Sequence, residues 1–352
     1  MGSDRRADPG LSVPPGTGAA LRVVSTEPFN AETPLEALRG ELPPTELHFV
    51  RSHFAFPDHP GVLAVDGGVE DPLRLTLDDL RRRPARTLAV TIECAGNGRA
   101  FLDPPVPGEP WRLGAVGTAE WTGVPLGALL DEVRIAPGSV EILFRGADAG
   151  TPAGLGRTIA FERSLPLPVP ADAVIAYAMN GRPLSAEHGA PFRLIVPGWY
   201  GVASVKWLLD IRAIAAPFRG FYQADRYVIG TTPLTEMAPR AVIVSPADGS
   251  RQAPGRVTVR GYAWSGRTTI ERVEVSVDGG RSWSPATLGP VGGRAWRTWE
   301  LDWEPPADGQ VTLLARATDG RGERQPLEQV RNALGYRNNA AQPVTVEVRA
   351  GD

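Results

Sequence analysis

The sequence predicts two domains of different class: an α+β domain, then an antiparallel β-sandwich of immunoglobulin-like type. Three observations carry this. The chain has 352 residues, which suits two domains of roughly 100–200 residues each. As far as about residue 217, apolar strand-like runs interleave with short helical stretches and form no regular strand–helix–strand repeat. Beyond about residue 239 the pattern becomes short alternating runs separated by turn residues. The expected boundaries are 1–20 for a flexible N-terminal arm, 21–225 for the first domain and 226–352 for the second.

The arm is polar and rich in Gly and Pro, a composition that buries little. In the first domain, Leu88 to Glu93, Val140 to Phe144, Ala173 to Ala178 and Phe192 to Val196 read as strands. Thr76-Leu77-Asp78-Asp79-Leu80 reads as a short capped helix. Gly123-Val124-Pro125-Leu126 opens a second helix, with Pro125 near its first turn and apolar spacing through Leu129, Leu130 and Val133. Residues 217–239 connect the two halves. The sandwich strands are Ala241 to Ser245, Arg256 to Ala263, Ile270 to Val277, Arg297 to Trp303, Val311 to Ala317 and Val344 to Val348. Asp278-Gly279 between two of them is a hairpin signal.

The totals exclude several functions. A net charge of −3 lacks the basic footprint of a nucleic-acid binder. No run of 18 apolar residues is present to span a membrane. The N-terminus has no apolar stretch of the secretory kind, even after Arg5-Arg6. A cytoplasmic location is therefore expected; a periplasmic one would require that a leader had been removed. The single cysteine, Cys94, excludes an internal disulfide, an all-cysteine iron–sulfur cluster and a haem-attachment motif. The four histidines, His48, His53, His59 and His188, fall in no zinc spacing.

Thr91-Ile92-Glu93-Cys94-Ala95-Gly96-Asn97-Gly98-Arg99 ends a strand with a thiol and follows it with a glycine-containing turn. Such a turn lets a ligand approach the backbone closely. A thiolate is a soft metal ligand, and Arg99 can hold the thiolate or an anionic substrate. A lone cysteine is otherwise usually a small buried hydrophobe.

With these neighbours the sequence resembles the sulfite oxidase family of molybdopterin enzymes, from about His48 to Val348. Cys94-Ala95-Gly96-Asn97 with Arg99 is similar to the metal-binding signature C-A-G-N-R-R. Phe49-Val50-Arg51-Ser52-His53 is similar to F-x-R-N-H. Trp111 to Val116, Glu120 to Leu126, Ala176 to Leu184, His188 to Arg193 and Ser204 to Leu208 resemble further family blocks in the same order. Ser52 stands where the family usually has Asn, and Gly98 where the signature has its first Arg, which removes a positive charge beside the site. Gly335-Tyr336 with Asn338-Asn339 is similar to the late signature, with Arg331 in place of its Trp.

The resemblance implies a molybdenum–molybdopterin cofactor with Cys94 as the protein's ligand to the metal. It places the pterin among His53, His188, Arg193, Ser204, Val205 and Lys206, with Arg51, Ser52 and Asp148 nearby. Arg193 offers a planar fork for phosphate and Lys206 a point charge; Asp148 also suits a turn. Arg51 and Arg99 would bind a small oxyanion through charge-assisted bonds. Trp111 would form an apolar wall or simply pack in the core. Tyr227 would meet a metal ligand through its hydroxyl. The second domain resembles the family's dimerisation domain, so a homodimer is expected. The implied activity is sulfite oxidation, with two electrons passed to dioxygen or a partner cytochrome. The alternatives are reduction of nitrate or an S-oxide on the same fold, or an interaction module without metal.

Overall fold

The computed structural model describes residues 20–306 and 308–349. The expected N-terminal arm lies outside the described residues, its last residue excepted. The first domain carries strands β1 (Val62–Gly67), β2 (Leu73–Thr76), β3 (Arg86–Glu93), β4 (Val116–Pro125), β5 (Glu141–Gly150), β6 (Ile159–Pro166), β7 (Val174–Met179), β8 (Arg193–Ile195) and β9 (Leu208–Ile214). Its α-helices are short: α1 (Leu77–Arg81) and α2 (Leu126–Val133).

Two sheets organise this domain. In one, β4 lies between β3 and β7, and β8 pairs with β7. The other runs β2-β1-β9-β5-β6, antiparallel except where β9 pairs parallel with β1. Strand β3 is exposed at its start and buried over its last four residues, Val90 to Glu93. It therefore delivers Cys94 into the interior.

Local chemistry explains both helices. Thr76 caps α1, its hydroxyl accepting from the Asp79 amide at 3.2 Å while the Asp79 carboxylate accepts from the Thr76 amide at 2.8 Å. Helix α2 buries Leu126, Leu129, Leu130 and Val133, the face its spacing predicts. It starts later than the spacing predicts: Gly123 and Val124 belong to strand β4, and Pro125 both ends that strand and is the N-cap. The reason is close sheet packing. Gly123 opposes Ala176 on β7, and a Cβ on it would stand 2.1 Å from the Ile175 carbonyl oxygen.

The second domain is a sandwich of β10 (Arg240–Ser245), β11 (Val257–Trp264), β12 (Ile270–Ser276), β13 (Arg297–Trp303), β14 (Gly309–Asp319) and β15 (Val344–Val348), with short edge segments. One sheet runs β10-β11-β13 and the other β15-β14-β12. Val259, Val273, Leu313, Val346 and Trp299 fill the space between them. A separate apolar cluster crosses the domain junction: Val116, Tyr200 and Val202 join Val242, Trp264, Trp296 and Tyr336. The two domains thus share a core, and the second domain comes up against the loop that carries Cys94.

Candidate active site

Cys94 follows β3 directly and is 6% exposed. Its amide donates to the Ala115 carbonyl at 2.8 Å, and its carbonyl accepts from the Asn97 amide at 2.9 Å, closing a tight turn. Gly98 completes the turn at φ +84°, a left-handed conformation that disfavours other residues. Cys94 belongs to an apolar cluster with Val90, Ile92, Trp111 and Trp121. Burial raises its pKa, while the charges of Arg51 and Arg99 and a backbone amide of the turn pull it down.

Cys94 also borders a cavity of about 660 Å3, mouth included. Cys94, Arg51, His53, Asp148, His188, Arg193, Ser204, Lys206 and Tyr227 all line it. They arrive from the segment before β1, from the end of β3, from β5, from the turn before β8, from β8 itself and from the turn between β8 and β9. Tyr227 comes from the connection between domains. Lys206 donates to the Ser52 hydroxyl at 3.1 Å and the Glu187 carbonyl at 2.8 Å, so Ser52 joins the site through it. Arg193 donates to the His188 carbonyl at 3.1 Å and the Ser204 carbonyl at 3.2 Å, with its guanidinium 4.8 Å from the Trp121 ring centre. Tyr227 and His53 share a 2.6 Å hydrogen bond, its direction set by the imidazole tautomer. Tyr227 and Trp207 both hold positive φ, +57° and +48°; strain of this kind gathers at functional sites.

The electrostatics are those of a largely buried hollow rich in basic side chains. Burial pushes Lys206 well below the usual lysine range, and the Arg193 charge adds to the effect while Asp148 opposes it. Burial lowers Arg193 to about 9 and raises Asp148 to about 6, with Lys206 pulling the latter down. His53 and His188 are held neutral by burial and nearby cations.

Besides Ser52, which reaches the site only through Lys206, three expected residues stand outside the cavity. Arg99 donates to the Glu109 carbonyl at 2.9 Å and the Leu334 carbonyl at 3.1 Å, and stacks 5.3 Å over Tyr336. Its charge reaches Cys94, but its guanidinium braces the loop. Trp111 is fully buried in the apolar cluster that includes Cys94, and Val205 is fully buried in the core. The sequence reading missed His48, Phe49, Phe161, Glu187 and Trp207, which also line the hollow. His48 is buried, lowered to about 4 mainly by burial, and 5.3 Å from the His188 ring. Its one signal was adjacency to the Phe49-to-His53 segment.

Residues 56–222 match the family profile "Oxidoreductase molybdopterin binding domain", and residues 231–349 match "Mo-co oxidoreductase dimerisation domain". The chain is 37% identical to sulfite oxidase of Gallus gallus, over 91% of this chain and 75% of that protein. The chain belongs to the sulfite oxidase family. It is also 34% identical to mitochondrial sulfite oxidase of Mus musculus over 94% of its length, and spans 66% of that relative. The sulfane dehydrogenase SoxCD from Paracoccus pantotrophus superposes with a TM-score of 0.83 at 30% identity, covering 97% of this chain and 92% of that one.

The hollow fits the molybdopterin of the sulfite oxidase family. Two of its lining side chains carry buried polar atoms that lack a partner among the described residues: Asp148 Oδ1 and Arg193 Nε. Buried polar atoms left in this state are costly unless a ligand satisfies them. A heterocycle with donors and acceptors on its edge, carrying a phosphate, would meet both together with Lys206. The thiol at the hollow's wall would supply a soft sulfur ligand to the metal. Among the described residues no helix is long and apolar enough to cross a membrane.

Proposed function

We propose that this protein oxidises sulfite to sulfate. Sulfite and water give sulfate, two protons and two electrons, and the electrons leave to a separate acceptor, dioxygen or a cytochrome. When bound, a molybdenum–pterin group supplies two-electron oxidation with oxygen transfer to the substrate sulfur. The observation that carries the reading is that Cys94 and Arg51 line the same largely buried hollow, together with Arg193 and Lys206.

Each side chain has a task in this scheme. Cys94 holds the metal. Arg193 and Lys206 bind the pterin phosphate, and His48, His188 and Asp148 meet its polar edge. Arg51 binds the oxyanion through charge-assisted bonds of about 1.5–3 kcal/mol each. It is held in place by donating to Asn30 Oδ1 at 3.1 Å and to the Ser52 carbonyl. Tyr227, bonded to His53, offers a route for a proton at its hydroxyl. Arg99 steadies the Cys94 turn and lends it positive charge. The second domain pairs two copies of the chain.

One observation favours a second reading. With Arg99 tied to two carbonyls, Arg51 is the arginine nearest Cys94 that faces the hollow, which also suits a less charged sulfane-sulfur substrate. Steady-state assays of the holoenzyme with a ferricyanide acceptor decide among the readings. Sulfite-dependent acceptor reduction, with no reduction of nitrate or an S-oxide from a chemical donor, is the expected result. Turnover of sulfane sulfur alone would move the assignment to the second reading, and turnover only in the reductive direction would overturn both.

A further inference from the structure

We infer that the second domain sets the position of the metal-binding turn through a buried ion pair, Arg240–Glu93. The inference rests on Cys94 being the metal ligand, as proposed above. Glu93 is the last residue of β3 and the neighbour of Cys94. Both side chains of the pair are nearly inaccessible, at 2% and 3%, with Arg240 Nη1 2.6 Å from Glu93 Oε1. The same carboxylate oxygen accepts from Asn97 Nδ2 at 3.0 Å, and the other accepts from Trp264 Nε1 at 3.0 Å. Arg240 reaches further, to the carbonyls of Asn97 at 3.4 Å and of Asn338. Asn338 Nδ2 in turn donates to the Gly98 carbonyl at 2.7 Å, and the Arg337 amide to the Ala95 carbonyl at 2.9 Å.

The residues on either side of the thiol, and the two that close the turn, are therefore held by second-domain donors. Gly98 shows how tightly they fit: a Cβ there would lie 2.7 Å from Arg240 Nη2 and 3.1 Å from the Asn338 carbonyl oxygen. Where the signature has its first arginine, this chain has a glycine, and a guanidinium from the other domain occupies the adjoining space. An isolated buried carboxylate or guanidinium is strongly disfavoured. Paired and fully hydrogen-bonded, the two define one geometry, and groups that orient a metal ligand tune the metal it holds. Arg240 and Glu93 are thus positioning residues: they act through Cys94 and do not touch substrate.

The test compares holoenzyme of the native protein with Arg240→Met, Arg240→Lys and the double variant Glu93→Gln/Arg240→Met. Molybdenum content, the visible charge-transfer band of the metal–cysteine bond, kcat, KM for sulfite and the thermal midpoint are measured for each. Arg240→Met is expected to shift the band, lower kcat at least tenfold with KM within twofold, and lower the midpoint. The double variant, freed of its lone buried carboxylate, regains the midpoint but keeps the shifted band and low kcat. Arg240→Lys, which retains the charge, restores most of the band. A native band and kcat in Arg240→Met, or their recovery together with the midpoint in the double variant, would reduce the pair to interface adhesion. If Arg240→Met does not fold, the double variant and Arg240→Lys give the same decision. Native protein without molybdenum would sink the functional reading itself; molybdenum present with an unmoved band sinks only this inference.

Discussion

Replacing Arg51 by Gln removes a guanidinium that lines the hollow with Cys94 and Tyr227. The amide keeps a donor, so the bond to Asn30 Oδ1, now 3.1 Å, has a substitute. The positive charge has none. Losing one charge-assisted bond to a dianion removes about 1.5–3 kcal/mol. At about 1.4 kcal/mol per tenfold, that is roughly a ten- to hundredfold fall in kcat/KM. Most of it should appear as a higher KM, because the bond forms in the ground state. The assay is steady-state sulfite oxidation by Arg51→Gln and native holoenzyme, normalised to molybdenum content. A KM within twofold of native, at equal metal loading, would remove Arg51 from substrate binding.

His48, His53 and His188 are all lower in the fold than the ordinary value of 6.5, chiefly through burial, His48 at about 4. The unfolded chain therefore binds protons that the fold excludes, and stability should fall as pH drops from about 6.5 through 4. His48 alone contributes about 3 kcal/mol over that window, and His48→Gln should make the thermal midpoint of cofactor-free protein less dependent on pH; an unchanged slope would count against the buried neutral ring. Arg163, fully buried, donates to the carbonyls of Tyr222 and Leu234, which flank the Tyr227 turn. Arg163→Met leaves both carbonyls unmet and should cost about 2–4 kcal/mol in a chemical denaturation, with lowered kcat as Tyr227 loosens; native stability would show that solvent satisfies them. Gly146→Ala puts a Cβ 2.4 Å from Asp148 Oδ1 and 2.8 Å from the Lys206 carbonyl. That variant should fold yet hold several-fold less pterin, read by cofactor release and fluorescence, whereas full loading would place the pterin elsewhere.

The strands were legible because alternation is a local signal. Val344 to Val348 and Arg297 to Trp303 read directly as the strands they form, and Thr76 with Asp79 announced helix α1. Gly123 was read as a helix opening because its real role, close approach to β7, depends on a partner strand some fifty residues away. The thiol turn was visible from Cys94 and its glycines. The duty of Arg99 was not, since an arginine beside a thiol looks alike whether it faces a ligand or braces a loop. Its fixing carbonyls include Leu334, 235 residues along the chain. Arg240 gave no sign of its pairing with Glu93, 147 positions earlier. Long-range buried pairs leave no spacing to read.

The most direct test of the whole account is X-ray absorption at the molybdenum edge of native and Cys94→Ser protein. With Cys94 bound to the metal, the sulfur shell of the native protein exceeds that of the serine variant by one atom, and turnover is lost with the fold intact. An identical sulfur shell in both, or turnover retained by the variant, would contradict it.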